Sequence, residues 1–208
     1  MIDLYTWGTP NGKKASIMLE ELGLDYTVHP IDITKGDQFT PEFLAINPNN
    51  KIPAIVDSEG PDGTPITVFE SGAILMYLAE KTGSDLLPLS GPARYATLEW
   101  LMLQMGGVGP MFGQVHHFVQ FAKEDVPYAK ARYSEEMLRL YGVLDKRLGA
   151  HPYLAGEQYS IADIATYPWV SRHAWHPMEL SDYPNVQRWY DMLGLREAVK
   201  RGMNVPNV

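Results

Sequence analysis

Residues 4–24 have the sequence LYTWGTPNGKKASIMLEELGL, and this stretch decides the first half of the fold. An apolar strand is predicted over residues 2–6, and a Gly-Thr-Pro-Asn-Gly turn follows at 8–12. Apolar side chains then recur at helical spacing, which predicts a helix over residues 13–22. Gly23 stands where a glycine commonly ends a helix. The stretch therefore predicts a strand, a tight turn and an amphipathic helix.

The turn occupies the place where thioredoxin-like redox proteins carry a Cys-x-x-Cys motif. Here the four positions hold Thr9, Pro10, Asn11 and Gly12, and the chain contains no cysteine. Disulfides within the protein and cysteine-ligated metals are therefore excluded. Pro, Asn and Gly are also common in ordinary β-turns, so the composition of the turn leaves that interpretation open.

Length and composition indicate a globular protein that can form one large domain or two small ones, with 208 residues, 45% hydrophobic and 20% charged. No apolar run is long enough to span a membrane, and no basic segment precedes an apolar one at the N-terminus. We therefore expect a cytoplasmic protein. Residues 1–85 hold 5 Lys or Arg against 13 Asp or Glu, which equals the whole net charge of −8. This acidity disfavours nucleic acid and anionic membranes as partners.

The pattern after the first helix predicts two domains. Strand and helix signals alternate in the order βαβαββα over residues 1–82, with a parallel pair first and an antiparallel hairpin last. Residues 83–90 have the composition of a linker, and 91–208 read as an all-helical bundle. The later strands are predicted at 26–33, 54–57 and 66–69. Helices are predicted at 41–46, 70–81, 93–105 with a continuation into 113–121, 127–148, 160–175, 186–193 and 195–201.

The segment YSIADIA, residues 159–165, resembles a capping box in which Asp replaces the usual Glu or Gln. Ser160 and Asp163 would satisfy backbone N–H groups at the start of a helix. We expect Asp163 to be buried and structural.

Four stretches in this order resemble the cytosolic glutathione transferases, and specifically the bacterial nu class. They are TPNGKK (9–14), NPNNKIPAIVD (47–57), FESGAILMYLAEK (69–81) and GGVGPMFGQVHHF (106–118). The first three are also similar to the transferase-like fungal nitrogen regulator. The resemblance implies an α+β fold, with a thioredoxin-like domain followed by an all-helical domain. It also implies glutathione-dependent reduction of small disulfides, the sulfur being supplied by glutathione.

The resemblance assigns several residues to glutathione. Glu70 and Ser71 would hold the γ-glutamyl amine and carboxylate at a helix N-terminus, although a simple helix cap is the alternative. A cis bond between Ile52 and Pro53 would present the Ile52 backbone to the cysteinyl group. Lys51 and Gln38 would meet the glycyl carboxylate; both could instead be solvated surface residues. Asn50 could support Lys51.

Thr9 and Asn11 are the candidate catalytic residues. Each can donate a hydrogen bond to the glutathione sulfur, and a helix N-terminus favours the thiolate. Tyr5 is a second candidate donor, although its place inside the strand favours a role in packing. His116 and His117 are adjacent on a helix and do not share a face, which disfavours a metal site. We expect no metal cofactor.

Arg132 on the long helix at 127–148 would, by the same resemblance, reach the glutathione site of a second subunit in a homodimer. A surface Arg paired with Glu135 or Glu136 is the alternative. Conjugation of glutathione to electrophiles, reduction of organic peroxides and a non-enzymatic glutathione-binding role are the competing functions.

Overall fold

The structure, a computed structural model, describes residues 1–207. Their contacts divide them into two compact units. The first consists of Met1–Leu89 together with residues 196–207, and the second is Ser90–Leu195. The domain boundaries expected from the sequence stay a prediction. Residues 196–207, which the sequence assigns to the second domain, pack with the first unit.

The described residues form four strands and nine α-helices, together with short 3₁₀ and π-helical segments. The strands are β1 (Ile2–Thr6), β2 (Tyr26–Pro30), β3 (Ala54–Asp57) and β4 (Ile66–Phe69). The helices are α1 (Pro10–Leu22), α2 (Pro41–Ile46), α3 (Ser71–Thr82), α4 (Gly91–Leu103), α5 (Gly109–His116), α6 (Pro127–Ala150), α7 (Ile161–Val170), α8 (Pro184–Gly194) and α9 (Glu197–Met203).

The first unit is built on one sheet with the strand order β2-β1-β3-β4. β1 and β2 are parallel, and β1–β3 and β3–β4 are antiparallel. The predicted parallel pair and antiparallel hairpin are both confirmed. β2 ends at Pro30 and not at residue 33, because Pro30 lies opposite Thr6, where β1 itself ends.

Helix α1 begins at Pro10, three residues before the predicted start at Lys13. Thr9 is its N-cap, and the Thr9 hydroxyl accepts a hydrogen bond from the Gly12 N–H at 3.2 Å. Proline suits the first helical position because its missing N–H would have no partner there. Gly12 is required by space: a Cβ at this position would lie 2.3 Å from the Trp7 carbonyl oxygen and 2.5 Å from Thr6 Oγ1. The supposed turn is therefore the first turn of the helix.

Helix α9 packs against α1 in the first unit. The Ser16 hydroxyl donates to the Gly202 carbonyl at 2.7 Å, and Lys13 Nζ donates to the Val205 carbonyl at 2.7 Å. Arg196 pairs with Glu21 through two hydrogen bonds of 2.8 and 2.7 Å. These contacts explain why the last segment groups with the first unit.

In the second unit, Asp163 is buried and structural, as predicted. Its carboxylate accepts hydrogen bonds from the backbone of Ser160 and Leu154 and from Trp189 Nε1, at 2.9–3.0 Å. Helix α7 ends at Val170, before the predicted end at residue 175. The Ser171 hydroxyl donates to the Pro168 carbonyl at 2.7 Å and takes an acceptor that a longer helix would use.

Candidate functional site

One edge of the sheet in the first unit brings three of the predicted stretches together. β1 ends at Thr6, and its neighbour β3 begins at Ala54, which pairs with Tyr5. Ala54 also pairs with Phe69, the last residue of β4. The start of α1, the residues before β3 and the start of α3 therefore meet at this edge. Thr9, Asn11, Ile52, Pro53, Glu70 and Ser71 all belong to these segments.

The start of α1 presents Thr9 and Asn11 at a helix N-terminus. Because the Thr9 oxygen accepts from Gly12, its own hydroxyl hydrogen is available to point at a ligand. Asn11 is the second residue of α1, where the backbone N–H groups point away from the helix. Both side chains are partly exposed. The geometry provides two donors and the positive end of a helix dipole in one place.

The start of α3 carries Glu70 and Ser71 in an unusual backbone geometry. Glu70 has φ 71° and ψ 115°, in the left-handed half of the map that a residue with a Cβ seldom adopts. Among the described residues, its side chain makes no capping hydrogen bond with α3. Glu70 is exposed, whereas the Ser71 residue is only 4% exposed. Strained residues of this kind cluster at functional sites, so the simple helix cap is the weaker interpretation.

Lys14 on α1 also contacts this site, a role that the sequence did not predict. The residue is 1% exposed, and its Nζ donates to Ser71 Oγ at 3.3 Å. Burial lowers the pKa of Lys14 to about 7, while the negative charge of Glu70 acts in the opposite direction. The signal in the sequence was weak, since Lys13 and Lys14 both read as polar positions of an amphipathic helix.

The segment before β3 has the expected backbone. The Ile52–Pro53 peptide bond is cis. The Lys51 carbonyl accepts a hydrogen bond from Asn47 Nδ2 at 2.6 Å. Asn47 is 1% exposed, and it also accepts a bond from the Asn49 N–H at 2.9 Å. It is therefore Asn47, a residue that the sequence did not single out, that holds the backbone of this segment.

Three predicted residues remain, of which only Lys51 lies in the segment before β3. Lys51 is exposed, and Gln38 lies in the short 3₁₀ turn Asp37–Phe39 that precedes α2. Gln38 Nε2 donates to the Ile33 carbonyl at 3.4 Å, and its buried Oε1 has no hydrogen-bond partner in the described part of the chain. Arg132 is exposed on α6 in the second unit. In the structure Glu136 pairs with Arg139, at 2.7 Å.

Tyr5 has a packing role, as its place in β1 suggested. Its ring stacks on His29, with ring centroids 4.6 Å apart, and lies 6.3 Å from Phe43. Burial, followed by the charge of Asp3, raises the pKa of the Tyr5 hydroxyl. A raised pKa makes the hydroxyl a weaker donor to a thiolate.

The two adjacent histidines of the second unit have different environments. His117 is exposed, whereas His116 is buried in a chain of hydrogen bonds. His116 Nε2 lies 2.9 Å from His176 Nε2, and His176 Nδ1 lies 2.8 Å from the Tyr141 hydroxyl. Burial lowers the pKa of His116 to about 4. Burial and the neighbouring His116 lower the pKa of His176 to about 3. Both imidazoles are therefore neutral at pH 7.

Two further properties bear on function. In residues 1–207, no three His, Cys, Asp or Glu side chains come together as potential metal ligands. Within the same range, no helix combines the length and the apolar character needed to cross a membrane.

Comparison with known proteins assigns both halves of the sequence. Residues 9–81 match the glutathione S-transferase N-terminal domain, and residues 109–197 match the C-terminal domain. The chain is 52% identical over 204 residues to the disulfide-bond oxidoreductase YfcG of Escherichia coli K12, covering 98% of this chain and 94% of that protein.

Two solved structures have the same fold and a similar sequence. A glutathione transferase family member from Pseudomonas fluorescens, with two glutathiones bound, matches with a TM-score of 0.94 and 50% identity, covering 99% of this chain and 93% of that one. A glutathione transferase from Pseudomonas putida, with one glutathione disulfide bound per subunit, matches with a TM-score of 0.92 and 47% identity, covering 99% and 91%. The chain therefore belongs to the glutathione S-transferase family.

Proposed function

We propose that this chain is a glutathione-dependent reductase of small disulfides, in which the thiolate of bound glutathione is the nucleophile. The relative YfcG is a disulfide-bond oxidoreductase, and the Pseudomonas putida relative holds a glutathione disulfide. Glutathione disulfide is the product that such a reaction would leave in the site.

The observation that carries the proposal is the meeting of three segments at one sheet edge, each matched to a part of glutathione. Ser71 and the N-terminus of α3 suit the γ-glutamyl carboxylate, and Glu70 suits the amine. The Ile52 backbone before cis Pro53 suits the cysteinyl peptide group. Thr9 and Asn11, across this edge, are then the donors that reach the sulfur.

The chemistry requires a stabilised thiolate and correct alignment. Hydrogen bonds from Thr9 and Asn11 and the N-terminus of α1 lower the thiol pKa of bound glutathione. The thiolate attacks one sulfur of the substrate disulfide, so a glutathione–substrate disulfide forms and the other substrate sulfur leaves as a thiolate. A second glutathione thiolate attacks the glutathione sulfur of that species, which gives glutathione disulfide and the second substrate thiolate. Protons from solvent neutralise the leaving groups.

The remaining contacts belong to the ends of glutathione and to a second subunit. Lys51 and Gln38 would bind the glycyl carboxylate. Arg132 would contribute its guanidinium to the site of the partner in a homodimer, where its planar fork suits a carboxylate. Two glutathiones in the Pseudomonas fluorescens relative support a site that accommodates both thiols of the reaction.

The test compares substrates and variants. The parent protein should reduce 2-hydroxyethyl disulfide with glutathione faster than it conjugates chlorodinitrobenzene or reduces cumene hydroperoxide. Thr9→Ala and Asn11→Ala should each lower turnover about tenfold or more, with a smaller effect on glutathione affinity, because their donors act on the sulfur. Parent-like turnover in both variants and in the double variant would reject the two donors.

The competing functions give different results in the same assay. Faster turnover with chlorodinitrobenzene or the peroxide would favour conjugation or peroxide reduction. Glutathione binding without any turnover would favour a regulatory role. Since the chain has no cysteine, thiol-alkylating reagents should leave its activity unchanged after their removal.

A further inference from the structure

Helix α9 runs antiparallel to α1 within the first unit. Arg196, which directly precedes α9, pairs with Glu21 near the end of α1. Closer to the start of α1, the Ser16 hydroxyl donates to the Gly202 carbonyl at 2.7 Å. Later residues of the chain around α9 therefore contact earlier residues of α1.

Gly202 sets the distance between the two helices. A Cβ at this position would lie 2.5 Å from the Ile17 Cα and 2.6 Å from the Ile17 nitrogen. Because a side chain here would clash with this backbone, the close approach requires glycine. The chain that follows Gly202 therefore starts directly against α1.

Lys13 extends the contact to the first turn of α1. Its Nζ donates to the Val205 carbonyl at 2.7 Å, and the residue is 8% exposed. The Lys13 N–H donates to the Thr9 carbonyl at 3.0 Å. A helical side chain leans toward the N-terminus of its helix, and residues four apart share a face. The Lys13 side chain therefore holds Val205 on the side of α1 that begins with Thr9.

We propose that Lys13 is a positioning residue for the substrate, because it holds the segment after α9 (residues 204–207) beside the two thiolate donors of α1 and so restricts the reaction to small disulfides. This inference rests on the glutathione-dependent reduction proposed above. It names the substrate class of that reaction: disulfides of small molecules are accepted, and those of folded proteins are excluded.

The segment after α9 has the burial expected of one side of a substrate site. Val205 is half-buried and Pro206 is buried, whereas Asn207 is exposed. Thiol–disulfide exchange is a displacement in which the attacking sulfur and the two substrate sulfurs lie nearly in line. The leaving group must therefore fit between the groups around the thiolate. A 2-hydroxyethyl group is small enough, but a disulfide in a folded protein brings the surrounding surface with it.

The absence of cysteine makes the position of this segment directly testable. In Asn207→Cys, the introduced thiolate can attack bound glutathione disulfide, so that one glutathione becomes attached to the protein and the other leaves as a thiolate. Mass spectrometry measures the rate. The rate should saturate with glutathione disulfide, fall when S-methylglutathione is added, and exceed that of Asn204→Cys about tenfold or more at low concentration. Asn204, the exposed C-cap of α9, is the matched control.

A second test changes the contact itself. Lys13→Met keeps a long side chain but removes the donor to Val205, so the segment after α9 should admit larger substrates. The kcat/KM for insulin disulfides, divided by that for 2-hydroxyethyl disulfide, should rise about tenfold. Lys200→Met, which removes an exposed lysine paired with Glu197 on α9, should keep the parent ratio.

The ratio separates positioning from a general effect. Lys13 takes part in other interactions as well, and their loss can alter stability or the reactivity of the thiolate. Both substrates react with the same thiolate in the same protein, so such changes affect the two values equally and cancel. Asn207→Cys leaves Lys13 intact and tests the placement independently.

The outcomes are distinct. An unchanged ratio in Lys13→Met, or a parent protein that reduces insulin as efficiently as 2-hydroxyethyl disulfide, would overturn this inference alone. Modification at position 207 that neither saturates nor responds to S-methylglutathione would do the same. A parent protein that reduces neither substrate would overturn the proposed function and this inference with it.

Discussion

Three buried bases have lowered pKa values, because burial removes water from the charged form. They are Lys14 in the first unit and the pair of His116 and His176 in the second. Their partners differ. Lys14 contacts the Ser71 hydroxyl and feels the charge of Glu70. The two imidazoles contact each other and the phenol of Tyr141.

This difference separates an amine beside a negative charge from imidazoles beside aromatic rings and a positive charge. Lys14 is buried beside the hydroxyl of Ser71, and the negative charge of Glu70 favours its protonated form. Aromatic rings surround the histidines: Trp169 stacks on His116 at 5.6 Å, and Phe112 lies edge-on to His176 at 4.9 Å. A proton added to His116 would meet these rings and the repulsion of the Arg172 charge. Burial alone therefore does not indicate function; the groups that face the base do.

The largest expected effect comes from truncating the histidine pair. His116→Ala removes a buried ring and leaves His176 Nε2 without its partner, so the free energy of unfolding should fall by about 3 kcal/mol. His117→Ala, one residue further along and exposed, should change it by less than about 0.5 kcal/mol. Urea unfolding at pH 7.5, followed by circular dichroism, measures both. Equal losses in the two variants would contradict the buried pair.

Lys14 should dominate stability on the alkaline side. Its folded pKa, about 7, lies below the unfolded value of 10.5, so the unfolded chain binds more protons between these limits and stability rises with pH. The gain from pH 7 to pH 9 should be about 2 kcal/mol. Lys14→Met should remove this rise, as measured by unfolding at a series of pH values without ligand. A parent protein whose stability is flat over this range would refute the buried neutral amine.

The histidines should control the acid side. Their folded pKa values of about 4 and 3 lie below the unfolded value of 6.5, so stability falls as the pH drops below 6.5. Asp163 opposes this trend, because burial raises its pKa to about 6 and the folded state binds its proton first. The net loss should be about 1.5 kcal/mol between pH 6 and pH 5.

The matched pair of variants tests this assignment. His116→Leu introduces an apolar side chain of similar size and should nearly abolish the loss between pH 6 and pH 5, since one titrating group is removed and Asp163 balances the other. His117→Ala should keep the parent dependence. An unchanged slope in His116→Leu would assign the acid sensitivity to other groups.

Much of the first unit could be predicted from sequence because its signals are local. Alternating apolar residues marked the strands, and the Ala54–Asp57 and Ile66–Phe69 strands and their antiparallel pairing are as expected. The start of α1 was misplaced because Pro and Asn-Gly signal a turn, whereas here Pro10 starts a helix capped by Thr9. Helix α7 ends at Val170, five residues before its predicted end, next to a hydrogen bond from the Ser171 hydroxyl that no periodicity shows.

The candidate site was predictable only in part. Thr9, Ile52, Pro53, Glu70 and Ser71 came from motifs, and the strand register explains why those motifs meet. Lys14 and Asn47, and outside the site His176, were missed because each acts through a contact distant in sequence or through the backbone. Lys14 and Ser71 are 57 residues apart, and His116 and His176 are 60 apart. No single-sequence pattern encodes such a contact.

The packing of α9 on α1 has a consequence for how the chain is made. Ser16 and Gly202 are 186 residues apart, with the whole second unit between them. At the roughly 5–20 residues per second of protein synthesis, about 10–40 seconds pass between their emergence from the ribosome. During that time α1 lacks the helix that packs beside it, and apolar side chains such as Ile17, which the finished fold buries completely, are left uncovered. The nascent first unit therefore leaves this apolar surface of α1 exposed to water until α9 has been synthesised.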